Sequence, residues 1–149
     1  MTRLAVPLVP RPLRWAGVVA VVAIIFYLSV VTAPPENPVV PSPRPPDLVP
    51  LDKWRHFLAY AGLAGSLTYA TADWEWPTAR LAVLVLGVTV VYGVGIEAIQ
   101  ATIPRRYFSI GDAYANVLGA VLAVPLLLVR SRVPMVAVPG DIGTDSGAE

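Results

Sequence analysis

Four stretches of the chain are free of charged side chains: residues 15–35, 57–72, 81–96 and 113–129. A helix needs about 20 residues to cross the hydrocarbon core of a bilayer, with about 17 as a lower limit. The second and third runs reach that length only when their polar ends are included. The pattern predicts helices over 14–33, 52–72, 79–103 and 112–130, an all-α integral membrane bundle of four transmembrane helices. Val, Ile and Gly are frequent in these runs, but in lipid a helix satisfies its own backbone groups. Pro125 is expected to kink the fourth helix, which membrane helices tolerate.

The connecting segments carry different signals. Residues 34–50 hold eight prolines, which favours an extended, solvated loop after the first helix and forbids a helix there. Residues 73–77 (Asp-Trp-Glu-Trp-Pro) form a short turn, with Trp74 and Trp76 at the level of the membrane interface. Residues 104–111 join the third and fourth helices. A basic segment, 1–13, precedes the helical domain 14–130, and the small, acidic tail 131–149 is expected to be loose. No internal repeat is visible.

Composition sharpens this picture. Of 149 residues, 56% are hydrophobic and 14% charged, whereas soluble domains carry about 25% charge. A chain of this size buries only about 70% of its surface, so a soluble globule cannot hide the excess. The net charge of +1 and the lack of a basic stripe argue against a nucleic-acid partner. With no Cys, a disulfide framework, a thiol nucleophile and a thiolate metal site are excluded, and a single His leaves little with which to build a structural zinc site. Membrane lipids are the expected partners, and no cofactor is expected.

Arg3, Arg11 and Arg14 precede the first helix with no acidic residue among them. The positive-inside rule then puts the N-terminus in the cytoplasm of a multi-pass cell-membrane protein. Four spans return the C-terminus to the same side, where Arg130 and Arg132 agree and Arg105 and Arg106, on the far side, do not. A competing reading makes 1–33 a cleaved signal peptide ending at Val31-Thr32-Ala33. Pro34 directly after that site, and an apolar core longer than the usual 7–15 residues, count against it.

The polar residues of the spans gather at one depth. Asp52, His56 and Tyr60 are spaced i, i+4, i+8 and share a face of the second helix, with Lys53 on its flank. Glu97 and Gln100 lie near the end of the third helix, and Asp112 and Asn116 open the fourth. Alternating helix direction brings these three helix ends to one membrane surface. At about 1.5 Å per residue, Glu97 lies about 9 Å and Asn116 about 6 Å along the helix from it. An ionised carboxylate in a span costs about 2.5–3.5 kcal/mol, so Glu97 must face the bundle and meet a partner, or take up a proton. Gly93, one turn earlier, leaves room for a neighbouring backbone.

Each residue also has a plainer reading. Glu97 can be a structural pair between helices, and Asp112, three after Ser109, matches a helix-capping pattern. Asp52 can complement a helix terminus. Asn116, with Gly119 and Ala123, can be interhelical glue, and Arg105 and Arg106 can be ordinary flanking charges or phosphate binders.

Asp52-Lys53-x-x-His56-Phe57-x-x-Tyr60, then Glu97-x-x-Gln100, then Arg106 followed by Asp112-x-x-x-Asn116-x-x-Gly119, resembles the VanZ-like membrane protein family over about residues 47–123. The resemblance implies a small four-helix membrane protein. Its founding member is associated with resistance to the glycopeptide teicoplanin, and no enzymatic mechanism is established for the family as a whole. Arg106 stands where the family has its arginine, and Arg105 replaces a glycine often found before it.

Two functions follow from these residues. In the first, the protein binds an envelope lipid or small amphiphile without chemistry. Asp52, Lys53, His56, Tyr60, Glu97, Gln100, Arg106, Asp112 and Asn116 line the site, and Lys53 and Arg106 hold an anionic headgroup. In the second, it is an intramembrane enzyme on a lipid-linked or headgroup substrate, with Glu97, His56 and Asp112 as catalytic candidates and Glu97 or His56 as base. A proton or ion path is poorly supported, since only Thr68, Tyr69 and Thr89 continue the polar layer inward. A metal held by Asp52, His56, Glu97 and Asp112 is chemically possible, but spacing does not assemble donors across helices, and none is expected.

Overall fold

Pro10 precedes the first helix and Pro12 falls in its first turn, where the missing N–H has no partner to lose and the fixed φ is already helical. The computed structural model, which describes residues 6–32, 51–104, 108–133 and 135–137, with backbone alone at 51, 52, 135 and 137, accordingly starts α1 at Arg11, three residues before the expected position. Helix α1 (Arg11–Phe26) runs into a wider π-helical stretch, Tyr27–Val31. There follow α2 (Leu51–Ala70), α3 (Thr78–Gln100), α4 (Ile110–Val121) and α5 (Ala123–Arg130). The expected proline-rich loop lies outside the described residues.

The fourth expected helix is broken in two. Pro125 cannot donate to the carbonyl of residue 121, and its ring crowds that carbonyl. The chain tightens just before it, with Leu122 N–H turning to Gly119 O at 3.2 Å. Two short strands were not expected: β1 (Val6–Leu8) pairs in parallel with β2 (Met135–Ala137). Part of the basic segment and part of the tail are therefore ordered against each other.

Helix α2 occupies the centre and packs against α1, α3, α4 and α5. Its Tyr60, Leu63, Ala64, Leu67 and Ala70 form the core with Val18 and Ile25 of α1, Val85 of α3 and Ala123 of α5. The closest approach is at Gly119 of α4, where a Cβ would run into the Phe57 carbonyl of α2 and come within 3.0 Å of Ala61 N. The outer faces carry exposed Val19, Ile24, Val83, Val91, Leu118 and Leu126, a breadth of apolar surface suited to lipid rather than water.

Three helical stretches, Arg11–Val31, Thr78–Gln100 and Ile110–Arg130, are long and apolar enough to cross a membrane by length and composition. The helix that the others surround is the more polar one, with Lys53, Arg55 and His56. Buried hydroxyls at the far end of α2 bond back to its carbonyls: Thr68, and Thr71 just past its last residue, donate to Ala64 O and Leu67 O, each at 2.8 Å.

At one end of the bundle the start of α1, the end of α2 and the end of α5 converge. Arg14 donates to Tyr69 O at 3.3 Å, Ala70 O at 3.1 Å and Asp73 Oδ1 at 3.0 Å. Arg130 donates to Ala72 O at 3.0 Å and Trp74 O at 2.5 Å. The Arg14 guanidinium thus satisfies the carbonyls that end α2, which has no basic residue in its own last turn, and Arg130 satisfies two carbonyls of the turn that follows. Trp15, Trp74 and Trp76 stack in a chain beside them, with ring centroids 6.3 and 5.0 Å apart. Tyr69 ties β1 to this end, its hydroxyl donating to Pro7 O at 2.8 Å.

Candidate functional site

At the opposite end lie the start of α2, the end of α3 and the start of α4, as alternating helix direction requires. Ser109 caps α4, its hydroxyl accepting from Asp112 N–H at 3.2 Å, so the capping pattern read from Ser109 and Asp112 is present. Capping leaves the Asp112 carboxylate available. Lys53 Nζ lies 2.5 Å from Asp112 Oδ1 and 3.5 Å from Ser109 Oγ.

One turn deeper, His56 Nδ1 lies 3.1 Å from Asn116 Oδ1 and 3.9 Å from Glu97 Oε1, while Nε2 lies 3.8 Å from Asp112 Oδ1. Glu97 is fully buried. Its Oε2 accepts a backbone N–H from Ser109 at 3.3 Å, a donor invisible to any side-chain pattern. Its Oε1 has no hydrogen-bond partner among the described residues.

Deeper again, Tyr60 and Asn116 meet over Gly93. A Cβ there would come within 2.9 Å of the Tyr60 ring and 3.1 Å of Asn116 Nδ2. The space that Gly93 leaves is filled by side chains, not by the neighbouring backbone expected from its spacing. The Tyr60 hydroxyl, the Asn116 amide nitrogen and, a turn further, the Thr89 hydroxyl are buried without partners among the described residues. Thr89 was not singled out as a site residue; its place at i−8 from Glu97 was the available signal.

Lys53, His56, Tyr60, Glu97, Asp112 and Asn116 therefore come together from three helices. Gln100 does not join them: its amide donates to Ser29 O at 2.8 Å, closing the exposed carbonyls at the end of the first helix. The side chain of Asp52 and the whole of Arg106 lie outside the described residues. Of the other polar residues deeper in the bundle, Thr68 bonds within α2 and Tyr69 bonds to β1.

Beside Lys53 a groove of about 280 Å³ opens between α2 and α4, lined by Trp54, Phe57, Gly111, Tyr114, Ala115 and Leu118. Its walls are nearly all apolar, and Lys53, which borders it, is the residue paired with Asp112.

The VanZ/LLP1 family profile matches residues 14–131, extending beyond the motif region to take in the first helix and α5. No curated protein and no solved structure matches the chain. With most of its length covered, and with apolar helices enclosing the polar cluster those motifs build, the chain is a membrane protein that belongs to the VanZ/LLP1 family.

Proposed function

We propose that the chain crosses the cell membrane four times with both termini in the cytoplasm, and that it binds an anionic envelope lipid or small amphiphile. The headgroup meets Lys53 at the outer surface, and the chain lies in the groove between α2 and α4. The observation that carries this is the groove itself: an apolar trough walled by Trp54, Phe57, Tyr114 and Leu118 that ends at an ammonium. Arg106 is assigned to the headgroup on motif grounds, and a link to resistance against glycopeptide-type antibiotics on the family resemblance.

The test is mass spectrometry of lipids retained by the full chain after mild detergent extraction. Lys53→Ala is expected to lower anionic lipid retention about tenfold, as for loss of one charge-assisted contact. Leu118→Trp, which fills the groove, is expected to do the same, while Leu128→Trp on another exposed face leaves it unchanged. Equal retention in all three overturns the proposal.

One observation favours the enzymatic alternative: Glu97 Oε1 is buried and unpartnered 3.9 Å from His56 Nδ1, the arrangement of an acid–base pair. Under that reading Glu97→Gln lowers turnover of a lipid-linked substrate by about 10²–10⁴-fold and leaves lipid retention and melting temperature as they were.

A further inference from the structure

His56, Glu97 and Asp112 each bring one potential ligand atom to a common point, and these atoms lie within 4.8 Å of one another. They come from α2, α3 and α4, so no spacing within one helix could have announced them. We propose that these three side chains form a binding site for a divalent cation of the Zn²⁺ or Mn²⁺ type.

Beyond the clustering, two independent features point to a ligand. The first is Glu97. Its side chain is entirely buried and Oε1 has no partner among the described residues, yet that oxygen faces the imidazole. A buried carboxylate is tolerated where it is paired or coordinates a metal. The second is the histidine. Donation from Nδ1–H to Asn116 Oδ1 at 3.1 Å leaves Nε2, 3.8 Å from Asp112 Oδ1, as the ring nitrogen open to a ligand. A cation seated between Nε2 and Asp112 Oδ1 is coordinated by both. A metal-bound histidine almost always donates its other N–H in this way.

The metal class follows from the donors. Ligand bonds of about 2.0–2.2 Å place tetrahedral donors about 3.3–3.6 Å apart, so donors now within 4.8 Å of one another close by about 1 Å on binding. One imidazole and two carboxylates suit Zn²⁺, Mn²⁺ or Fe²⁺ better than Mg²⁺ or Ca²⁺, which take oxygen ligands. A divalent ion balances both carboxylates and competes with the Lys53 ammonium for Asp112. Entry is from the membrane surface, where His56 and Asp112 are partly exposed.

The experiment uses the full chain in detergent, delipidated, free of any affinity tag and stripped with a chelator, so that it is read apart from lipid binding. It is loaded with ZnCl₂ or MnCl₂, desalted, and its metal counted by mass spectrometry. One ion per chain is expected. His56→Gln, Glu97→Gln and Asp112→Asn should abolish stoichiometric binding, and Asn116→Leu should weaken it about 10–100-fold as the loss of a supporting contact. Lys53→Met keeps every donor and removes the competing cation, so it should bind several-fold tighter, a gain that a merely structural cluster would not produce. A wild-type chain that retains no metal, a His56→Gln chain that retains it equally, or a Lys53→Met chain that binds no tighter overturns the proposal.

Discussion

At Asp73 the carboxylate lies between two guanidinium groups, the buried Arg14 and the exposed Arg11. The hydrogen bond from Arg14 is the main reason its pKa is held well below the usual carboxylate range, with partial burial opposing and Arg11 adding to the effect. A carboxylate with a depressed folded-state pKa stabilises the fold in full above its unfolded pKa of about 4, and that contribution is lost as pH falls from there through the folded value. The full chain in detergent should therefore lose melting temperature between pH 6 and pH 3, with a shallower slope in Asp73→Asn; identical slopes would remove Asp73 from the account. Arg14→Gln should cost about 1–3 kcal/mol at neutral pH, because it strips donors from buried carbonyls as well as from Asp73. This clasp was within reach of the same alternating-direction reasoning that located the polar layer, since the start of α1 and the end of α2 share a surface. In the sequence alone, though, Arg14 is indistinguishable from any charge flanking a span. His56, Glu97, Asp112 and Asn116 were legible because spacing put each on an inward face at a known depth. The backbone donor to Glu97 and the turning of Gln100 towards Ser29 depend on how the loop and the first helix fall, and neither leaves a trace in side-chain periodicity.

Helix α2 shows what a polar helix must do in a bundle of apolar ones: it takes the centre, and α4 comes close enough that no side chain fits between. Gly119 sets that distance, because a Cβ on it would strike the Phe57 carbonyl, a backbone group that cannot swing aside. Gly119→Ala should destabilise by about 1–3 kcal/mol, as overpacking does, and loosen the α2–α4 contact on which the Lys53–Asp112 and His56–Asn116 pairs depend. Gly62→Ala on α2 is the matched control, with nothing within 4 Å of its added methyl. Thermal melts of the two variants side by side decide the matter: an equal or smaller loss at Gly119 would mean that the helices part without cost. The charge-free runs marked α1 to α3 to within a few residues, since absence of charge over such lengths has few causes. The break at Leu122 was foreshadowed by Pro125 as a kink, its position three residues earlier being set by the carbonyl that the proline obstructs. The π-helical end of α1 and the pairing of β1 with β2 were not legible, because both arise where distant segments meet.

Strands β1 and β2 and the α2–α3 turn converge on one end of the molecule. Strand β1 enters beside α1, β2 follows α5, and the two pair there, while Arg11, Arg14 and Arg130 reach the turn itself. Helix α2, twenty residues long, spans about 30 Å between that end and the polar cluster, the same interval as its more apolar neighbours. Among the described residues, Arg11, Arg14, Arg80, Arg130 and Arg132 flank this end, against Lys53 and Arg55 at the other, which the positive-inside rule reads as cytoplasmic. The chain contains no cysteine, so single cysteines report topology without background. In intact cells a membrane-impermeant maleimide should label Ser42→Cys in the proline-rich segment and spare Thr2→Cys, Glu75→Cys and Glu149→Cys until the membrane is opened. A fully inverted pattern would reverse the orientation yet keep four crossings, placing the polar cluster and its groove on the cytoplasmic leaflet. Labelling of Ser42→Cys from the same side as Glu75→Cys would mean that α2 does not cross, and the headgroup site would then have no membrane surface to face.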